Sequence, residues 1–415
     1  MSQAIVKIFG TRIGQLTWDS VKNTGSFRYD EAFLGSGIQL APVCMPLSNE
    51  LDQEYSFPDL NRERFQGLPG MLADSLPDEF GQLLLDSSLN PVQQLCQLGS
   101  WTMGALEFEP DFSPKQEDRK VDLNGLIETS GHLLSGMPLE PSDQESLSRV
   151  AISAGGSRAK ALVAWDRETN ELHSSNNPLP EGFEHWLIKL DGVTVPNEPG
   201  QTDPQGNGRI EFAYYAMADE AGITMADCAL YEEFGRAHFM TRRFDRTASG
   251  ERIHLQSLAA LAHLDESNDG LTSYEQVFNL SRRLGLPYSD LEELYRRAVF
   301  NLFARNQDDS TKNTSFLMNR RGQWSLAPAY DITFSHQASG AGTGLQKMSL
   351  SGKRDDFTVD DLLKAASGAT VKPRRAKIII DEVRTALNSW SKHAFKTKVP
   401  QGFSLGIARQ FREIS

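Results

Sequence analysis

The stretch Asn306–Met318, "NQDDSTKNTSFLM", sets a polar cluster with two aspartates, a lysine and an asparagine against an apolar run. Asp308 and Asn313 stand five residues apart, and Asp331 follows eighteen residues later in "LAPAYDITFS". Between them, "TSFLM", "NRRGQ" and "WSLAPAY" read as strand, turn and strand, a hairpin that would return Asp331 towards Asn313. An Asp beside a loop is ordinarily a turn or N-cap residue. The whole triplet on a hairpin behind a helix asks for more.

Phosphoryl transfer supplies a reason. Protein kinases set an Asp and an Asn in the pattern D-x-x-x-x-N and place a metal-binding Asp after the next hairpin. On that template Asp308 takes the substrate hydroxyl proton, while Asn313 and Asp331 hold Mg²⁺ against the phosphates of ATP. Asp309 is the alternative base, but its four-residue offset from Asn313 misses the pattern.

Upstream segments extend the template. "ISAGGSRAKALVAWD" reads as strand, glycine turn and strand, so backbone N–H groups there can cradle phosphate; an ordinary hairpin uses the same glycines. Lys189 sits in the strand-like "HWLIKLDG" as a candidate phosphate ligand, against the plain alternative of a lysine facing water. Glu211, at the start of the helix-like "EFAYYAMADEAGI", is its candidate ion-pair partner, or simply a first-turn acid favoured by the helix dipole. Gly222 is placed to end that helix. "TRRFDR" suits a hinge contacting adenine.

Bulk properties agree with this reading. The chain has 415 residues, 39% hydrophobic and 23% charged, enough for two or three domains. A formal charge of −13 argues against nucleic-acid binding by the whole surface. The basic run "VKPRRAK" (371–377) is the exception, and most such runs are solvated helix faces. No apolar run reaches the roughly 20 residues needed to cross a bilayer. Cys44, Cys96 and Cys228 lie far apart and read as free thiols of a reducing cytoplasm. Periodicity then divides the chain into a β-rich segment 1–145, a mixed segment 146–250 and a helical segment 251–415. The expected fold class is α+β: two-lobed and protein-kinase-like, with a β-rich N-terminal subdomain and an all-helical C-terminal lobe.

"GLPGMLADSLPDEFGQLLLD", "GSWTMGALEFEP", "AGGSRAKALV", "FARNQDDSTKNTSF" and "LAPAYDITFS" together resemble the HipA family of serine/threonine-protein kinases, toxins of bacterial type II toxin–antitoxin pairs. The resemblance covers nearly the whole chain. It implies Asp308 as catalytic base, Asn313 and Asp331 as Mg²⁺ ligands, and Lys189 on the ATP phosphates. The phosphate loop would be Ala154, Gly155, Gly156, Ser157, Arg158 and Ala159. Arg242, Arg243 and Phe244 would line the adenine hinge, with Ser310, Thr311, Lys312, Asn313 and Tyr330 completing the nucleotide site. Self-inactivation would fall on Ser153 or Ser157, since a phosphoserine is hard to keep beside ATP phosphates.

The resemblance further implies a protein substrate, an aminoacyl-tRNA synthetase, whose phosphorylation arrests growth and leads to persistence. A HipB-like helix-turn-helix antitoxin would restrain the kinase on operator DNA, where Lys372, Arg374 and Arg375 would meet phosphates. Two features depart from the family: Asp309-Ser310 stand where Gly-His is commonest, and the register of the modified serine is ambiguous. The competing reading from another class is a kinase-shaped corepressor that joins an antitoxin on DNA without catalysis. A small-molecule or lipid kinase is a third.

Overall fold

The computed structural model describes residues 2–48, 50, 52–113, 119–151, 158–175, 179–193, 205–265, 272–336 and 344–415. The chain gathers into two compact units. The first comprises Met1–Gln205, Tyr231–Gln256 and Leu317–Gln323; the second comprises Gly206–Leu230, Ser257–Phe316 and Trp324–Ser415.

In the first unit, β1 (Ser2–Ile8), β2 (Thr11–Asp19), β3 (Thr24–Tyr29), β4 (Glu54–Ser56) and β5 (Leu106–Glu109) form an antiparallel sheet in the order β4-β3-β2-β1-β5. Alternation places Val6, Ile13, Leu16, Phe27 and Phe108 in its core, each fully buried. Helix α1 (Pro91–Leu98) adds Val92, Leu95 and Leu98 to the buried set. It starts where Asn90 and Gln93 make a reciprocal capping box and Pro91 takes the first turn. Two one-turn helices, Gly70–Ala73 and Glu79–Gln82, precede it, and Pro77 separates them because proline cannot donate to a continuing helix.

Helices α2 (Leu123–Leu134) and α3 (Pro141–Ala151) lead to a second sheet. It is built from β6 (Lys160–Asp166), β7 (Glu171–Ser174), β8 (Glu184–Lys189), β9 (Cys228–Glu233) and β10 (Arg236–Arg242), in the order β7-β6-β8-β10-β9. Helix α3 runs to Ala151, with Leu147, Val150 and Ala151 buried at helical spacing, and the strand expected at the start of "ISAGGSRAKALVAWD" lies outside the described residues. Ser153, Ala154, Gly155, Gly156 and Ser157 lie outside the described residues. A short strand, β11 (His254–Ser257), follows the second sheet.

The second unit is mostly helical. It holds α4 (Asn207–Glu220), α5 (Leu258–Ala262), α6 (Tyr274–Arg283), α7 (Tyr288–Phe303), α8 (Val359–Gly368), α9 (Pro373–Asn388), α10 (Trp390–Lys396) and α11 (Gln401–Ala408). Gly222, at φ +77°, ends α4 as the sequence predicts. The buried residues of α7, from Leu291 to Phe303, make it the central helix. From α4, Tyr214 donates its hydroxyl to the carbonyl of Ala304 at 2.7 Å.

The expectation of an all-helical C-terminal lobe needs one correction. Strands β12 (Ser315–Met318) and β13 (Trp324–Leu326) form the hairpin anticipated between Asn313 and Asp331. Its turn is Asn319–Gln323, closed by the Asn319 amide on the Gln323 carbonyl at 3.1 Å, with Gly322 at φ +77°.

Candidate active site

The loop after α7 gives two neighbouring aspartates opposite environments. Asp308 is exposed, whereas Asp309 is 2% exposed. Asp309 accepts the Tyr274 hydroxyl at 2.6 Å and the backbone N–H groups of Lys347 and Met348 at 2.8 and 3.4 Å. Burial pushes its carboxyl up to about 7, although these donors and Gln346 pull the other way. A buried carboxylate bonded on both oxygens to protein is a poor base for an outside substrate. Asp308, by contrast, is exposed to solvent.

The loop is held by short polar contacts. The Asp308 and Gln307 amides both donate to Ser335 Oγ, at 2.9 and 2.7 Å. Asn313 Nδ2 donates to the Asp308 carbonyl at 2.8 Å, which joins the two ends of the D-x-x-x-x-N segment. Ser310 caps the 3-10 turn Thr311–Asn313 by accepting the Lys312 amide at 3.1 Å. Tyr330 reaches back to the same turn: its hydroxyl meets the Lys312 carbonyl and the Ser315 hydroxyl. Asp331 is half-buried with φ 53°, a left-handed conformation that Asp adopts more readily than most residues.

The structure thus gathers Asp308, Ser310, Lys312, Asn313 and Tyr330 around one turn, with Asp331 next in the chain. Behind the loop lies a small cavity of about 20 Å³, lined by Asn301, Asn306, Asp309, Asn313 and Tyr330 among others. Among the described residues no three His, Cys, Asp or Glu side chains gather to hold a metal ion. The predicted pair, Asn313 and Asp331, is a carboxamide and a carboxylate.

The other predicted residues occupy other elements. Lys189 ends β8, half-buried, with its ammonium 5.6 Å from the Phe239 ring centroid. In register, Lys160 of β6 stands directly opposite Lys189. Lys160 is 4% exposed and was not singled out from the sequence. Like charges placed opposite each other are destabilising unless something negative lies near. The signal was available, since Lys160 is the first residue after the loop in "AGGSRAK". Arg158 is half-buried, and Ala159 is buried with its carbonyl accepting the Leu190 amide.

Arg242 is exposed and paired with Glu184 at 3.0 Å. Arg243 is 8% exposed and grips Asp245 through two bonds of 2.9 and 2.7 Å. Its guanidinium is committed within the protein, and its backbone amide donates to the His185 carbonyl at 2.9 Å. Glu211 lies in the first turns of α4, in the second unit, 2% exposed. At the start of α9, Lys372 and Arg374 are exposed, whereas Arg375 is held by Glu292 at 2.7 Å and Glu382 at 3.3 Å.

Comparison with known proteins places this arrangement. The family model described as HipA-like C-terminal domain matches residues 152–390, and the HipA N-terminal domain matches residues 4–109. The chain belongs to the HipA family. A relative from Sinorhizobium fredii (strain NBRC 101917 / NGR234), named "Putative kinase Y4mE", is 26% identical over 348 residues, covering 78% of this chain and 75% of its own. A chain of the solved complex of Shewanella oneidensis MR-1 HipA, HipB and operator DNA aligns over 98% of this chain and 96% of its own. Its TM-score is 0.69 at 16% identity, a likeness of fold.

Proposed function

We propose that the chain is a Mg²⁺-ATP-dependent protein serine/threonine kinase acting as a growth-inhibiting toxin. The observation that carries this reading is the division of labour between neighbouring aspartates. Asp308 faces solvent on a loop pinned at both ends, while Asp309 is consumed inside the protein. A scaffold has no need to hold a carboxylate outward on so constrained a loop. Family membership and the kinase named in Sinorhizobium support the same reading.

In the proposed reaction a serine or threonine hydroxyl of the target attacks the γ-phosphorus of ATP. The new O–P bond forms as the bond to the ADP oxygen breaks, and the hydroxyl proton passes to Asp308. Asn313 spends its N–H on the Asp308 carbonyl, so what it offers a cation is a hard oxygen, the donor type Mg²⁺ takes. Asn313 and Asp331 would hold that ion, which when bound neutralises charge developing on the phosphates. Lys189, joined by Lys160, would bind phosphate, and Glu211 would orient Lys189. The segment Ala154–Ala159 would supply backbone donors, Arg242, Arg243 and Phe244 would line the adenine hinge, and Ser310–Lys312 with Tyr330 would shape the rest of the nucleotide site. Ser153 and Ser157 are the proposed self-modified residues.

The proposed target is an aminoacyl-tRNA synthetase, and the proposed restraint is a helix-turn-helix antitoxin on operator DNA. The fold likeness to the HipA–HipB–operator complex supports that partnership, and Lys372 and Arg374 are the exposed cations suited to DNA phosphates. The test is incubation with radiolabelled ATP and Mg²⁺ in cell extract, followed by mass spectrometry of the labelled peptides. Label is expected on the chain itself and on one host protein. Asp308→Ala should cut transfer by about 10²- to 10⁴-fold with ATP binding retained. Transfer at the native rate in that variant would overturn the assignment.

A further inference from the structure

We infer that Asp309 is a positioning residue: its carboxylate closes a ring of hydrogen bonds that sets the backbone of Asp308 and fastens the segment 344–350 to the catalytic loop. The role assigned to Asp308 rests on the kinase reading; the ring itself does not.

Every link of the ring donates in one direction. The Asp308 amide donates to Ser335 Oγ at 2.9 Å, and the Ser335 hydroxyl donates to Asn306 Oδ1 at 3.2 Å. Asn306 Nδ2 donates to Asn301 Oδ1 at 2.9 Å, and Asn301 Nδ2 donates to the Tyr274 hydroxyl oxygen at 3.1 Å. Tyr274, 4% exposed, then gives its proton to Asp309 Oδ2 at 2.6 Å. The donors run from the amide of Asp308 round to the side chain of the next residue. Such a chain needs an acceptor at its end, and Asp309 Oδ2 supplies it, most strongly when the carboxyl is ionised. Bonds aligned head to tail also polarise one another, so the ring holds more firmly than its separate links.

The second oxygen does different work. Asp309 Oδ1 takes the N–H groups of Lys347 and Met348. Around that anchor the Lys347 amide also meets the Gln307 carbonyl at 3.2 Å, and Gln346 Nε2 donates to the Asn306 carbonyl at 2.9 Å. Gln307 Nε2 donates to the Gly344 carbonyl at 3.2 Å. Residues 306, 307 and 309 are thus tied to 344, 346, 347 and 348, while the residue between them, Asp308, faces outward. Arg412 braces the far side by donating to Gln346 Oε1 at 2.7 Å. Asp309 is the only link acting on both the Asp308 backbone and the segment 344–350 through one side chain, among the described contacts.

The consequence is specific. Asp309→Asn keeps the shape but turns one acceptor into a donor, which must then face either the Tyr274 O–H or the Lys347 and Met348 amides. The loop loosens and Asp308 loses its aim. A misplacement of about 1 Å at a reacting group can cost on the order of 10²-fold in rate. ATP affinity, to which the Asp308 carboxylate itself does not contribute, should fall less than kcat.

The experiment has two arms on the full-length chain. In hydrogen–deuterium exchange, Asp309→Asn should speed exchange roughly ten-fold in both 306–310 and 344–350, whatever reaction the protein catalyses. In transfer assays its kcat should fall about 10- to 100-fold, with ATP affinity by calorimetry within about two-fold of native. Tyr274→Phe should show the same pattern more weakly. The double variant should lose less than the product of the two single losses, because both break one ring. Unchanged exchange in both segments overturns the inference, as does a loss of ATP affinity that matches or exceeds the loss of kcat. A native chain that transfers no phosphate would end the kinase reading alone, and the exchange arm would still decide the ring. Should Asp309→Asn fail to fold, Tyr274→Phe decides both arms by the same criteria.

Discussion

Asp245 in the first unit and Asp309 in the second are both shut from water, at 1% and 2% exposure, yet their carboxyls shift in opposite directions. Burial alone would raise Asp245, but the guanidinium groups of Arg243 and Arg246 override it and hold the carboxyl far below its ordinary range. The Gly104 amide adds a donor at 2.8 Å. Arg246 and Arg252 go on to bond the carbonyls of Thr102 and Gly104, so one ionised cluster ties the loop before β5 to the segment after β10. Asp309 has neutral donors instead, and its carboxyl stands near 7. A buried aspartate flanked by arginines is a fixed strut. One met only by hydroxyl and amide donors holds its place through geometry.

The largest expected effect tests the strut. Asp245→Ala leaves Arg243 and Arg246 buried without their anion and should destabilise the first unit by about 3–5 kcal/mol in urea unfolding. A loss under about 1 kcal/mol would show that the carbonyl bonds of Arg246 and Arg252 suffice.

Acid separates the two units next. Burial, aided by nearby arginine charge, lowers His185 to about 4 and His254 to about 3; burial likewise lowers His238 to about 4. Between pH 6.5 and 4 the unfolded chain therefore binds protons that the folded first unit refuses. Stability present above pH 6.5 is lost as pH falls, by roughly 1 kcal/mol per histidine per pH unit. In the second unit, burial lowers His263 to about 4, but Asp309 is raised to about 7 and works in the opposite sense: its folded form takes up a proton before its unfolded form does. The two largely offset. Hydrogen exchange at pH 5 against pH 7 should show protection lost mainly in the first unit; equal loss in both would break the contrast.

The smallest effect concerns the metal. Asp331→Ala should weaken Mg²⁺-dependent ATP binding by on the order of ten-fold, read by calorimetry with and without the ion. Unchanged affinity would remove Asp331 from the proposed ligand pair while leaving Asp309 and its ring untouched.

Much of this was legible beforehand. The hairpin after Asn313 follows from an apolar run, the turn "NRRGQ" with its Asn and Gly, and a second run. The apolar spacing of α6 to α8 marks them as helices, and Gly222 marks the end of α4. Legibility failed where a local pattern had two solutions. Arg243 reads as part of a hinge, and only the fold shows its guanidinium bonded to Asp245. Tyr274, Asn301, Asn306 and Ser335 gave no signal because each is an ordinary residue of its own segment. Only their meeting gives them a role.

The amino-acid sequence by itself determined the five-residue step from Asp308 to Asn313, the turn that follows, and the helices around them, since these depend on backbone geometry and neighbours a few residues away. The tertiary structure alone decided which of two adjacent aspartates is buried. Burial is set by groups distant in the chain, Tyr274 from one side and Lys347 and Met348 from the other. No local pattern encodes that choice, because the free energy of a carboxylate depends on what surrounds it in space.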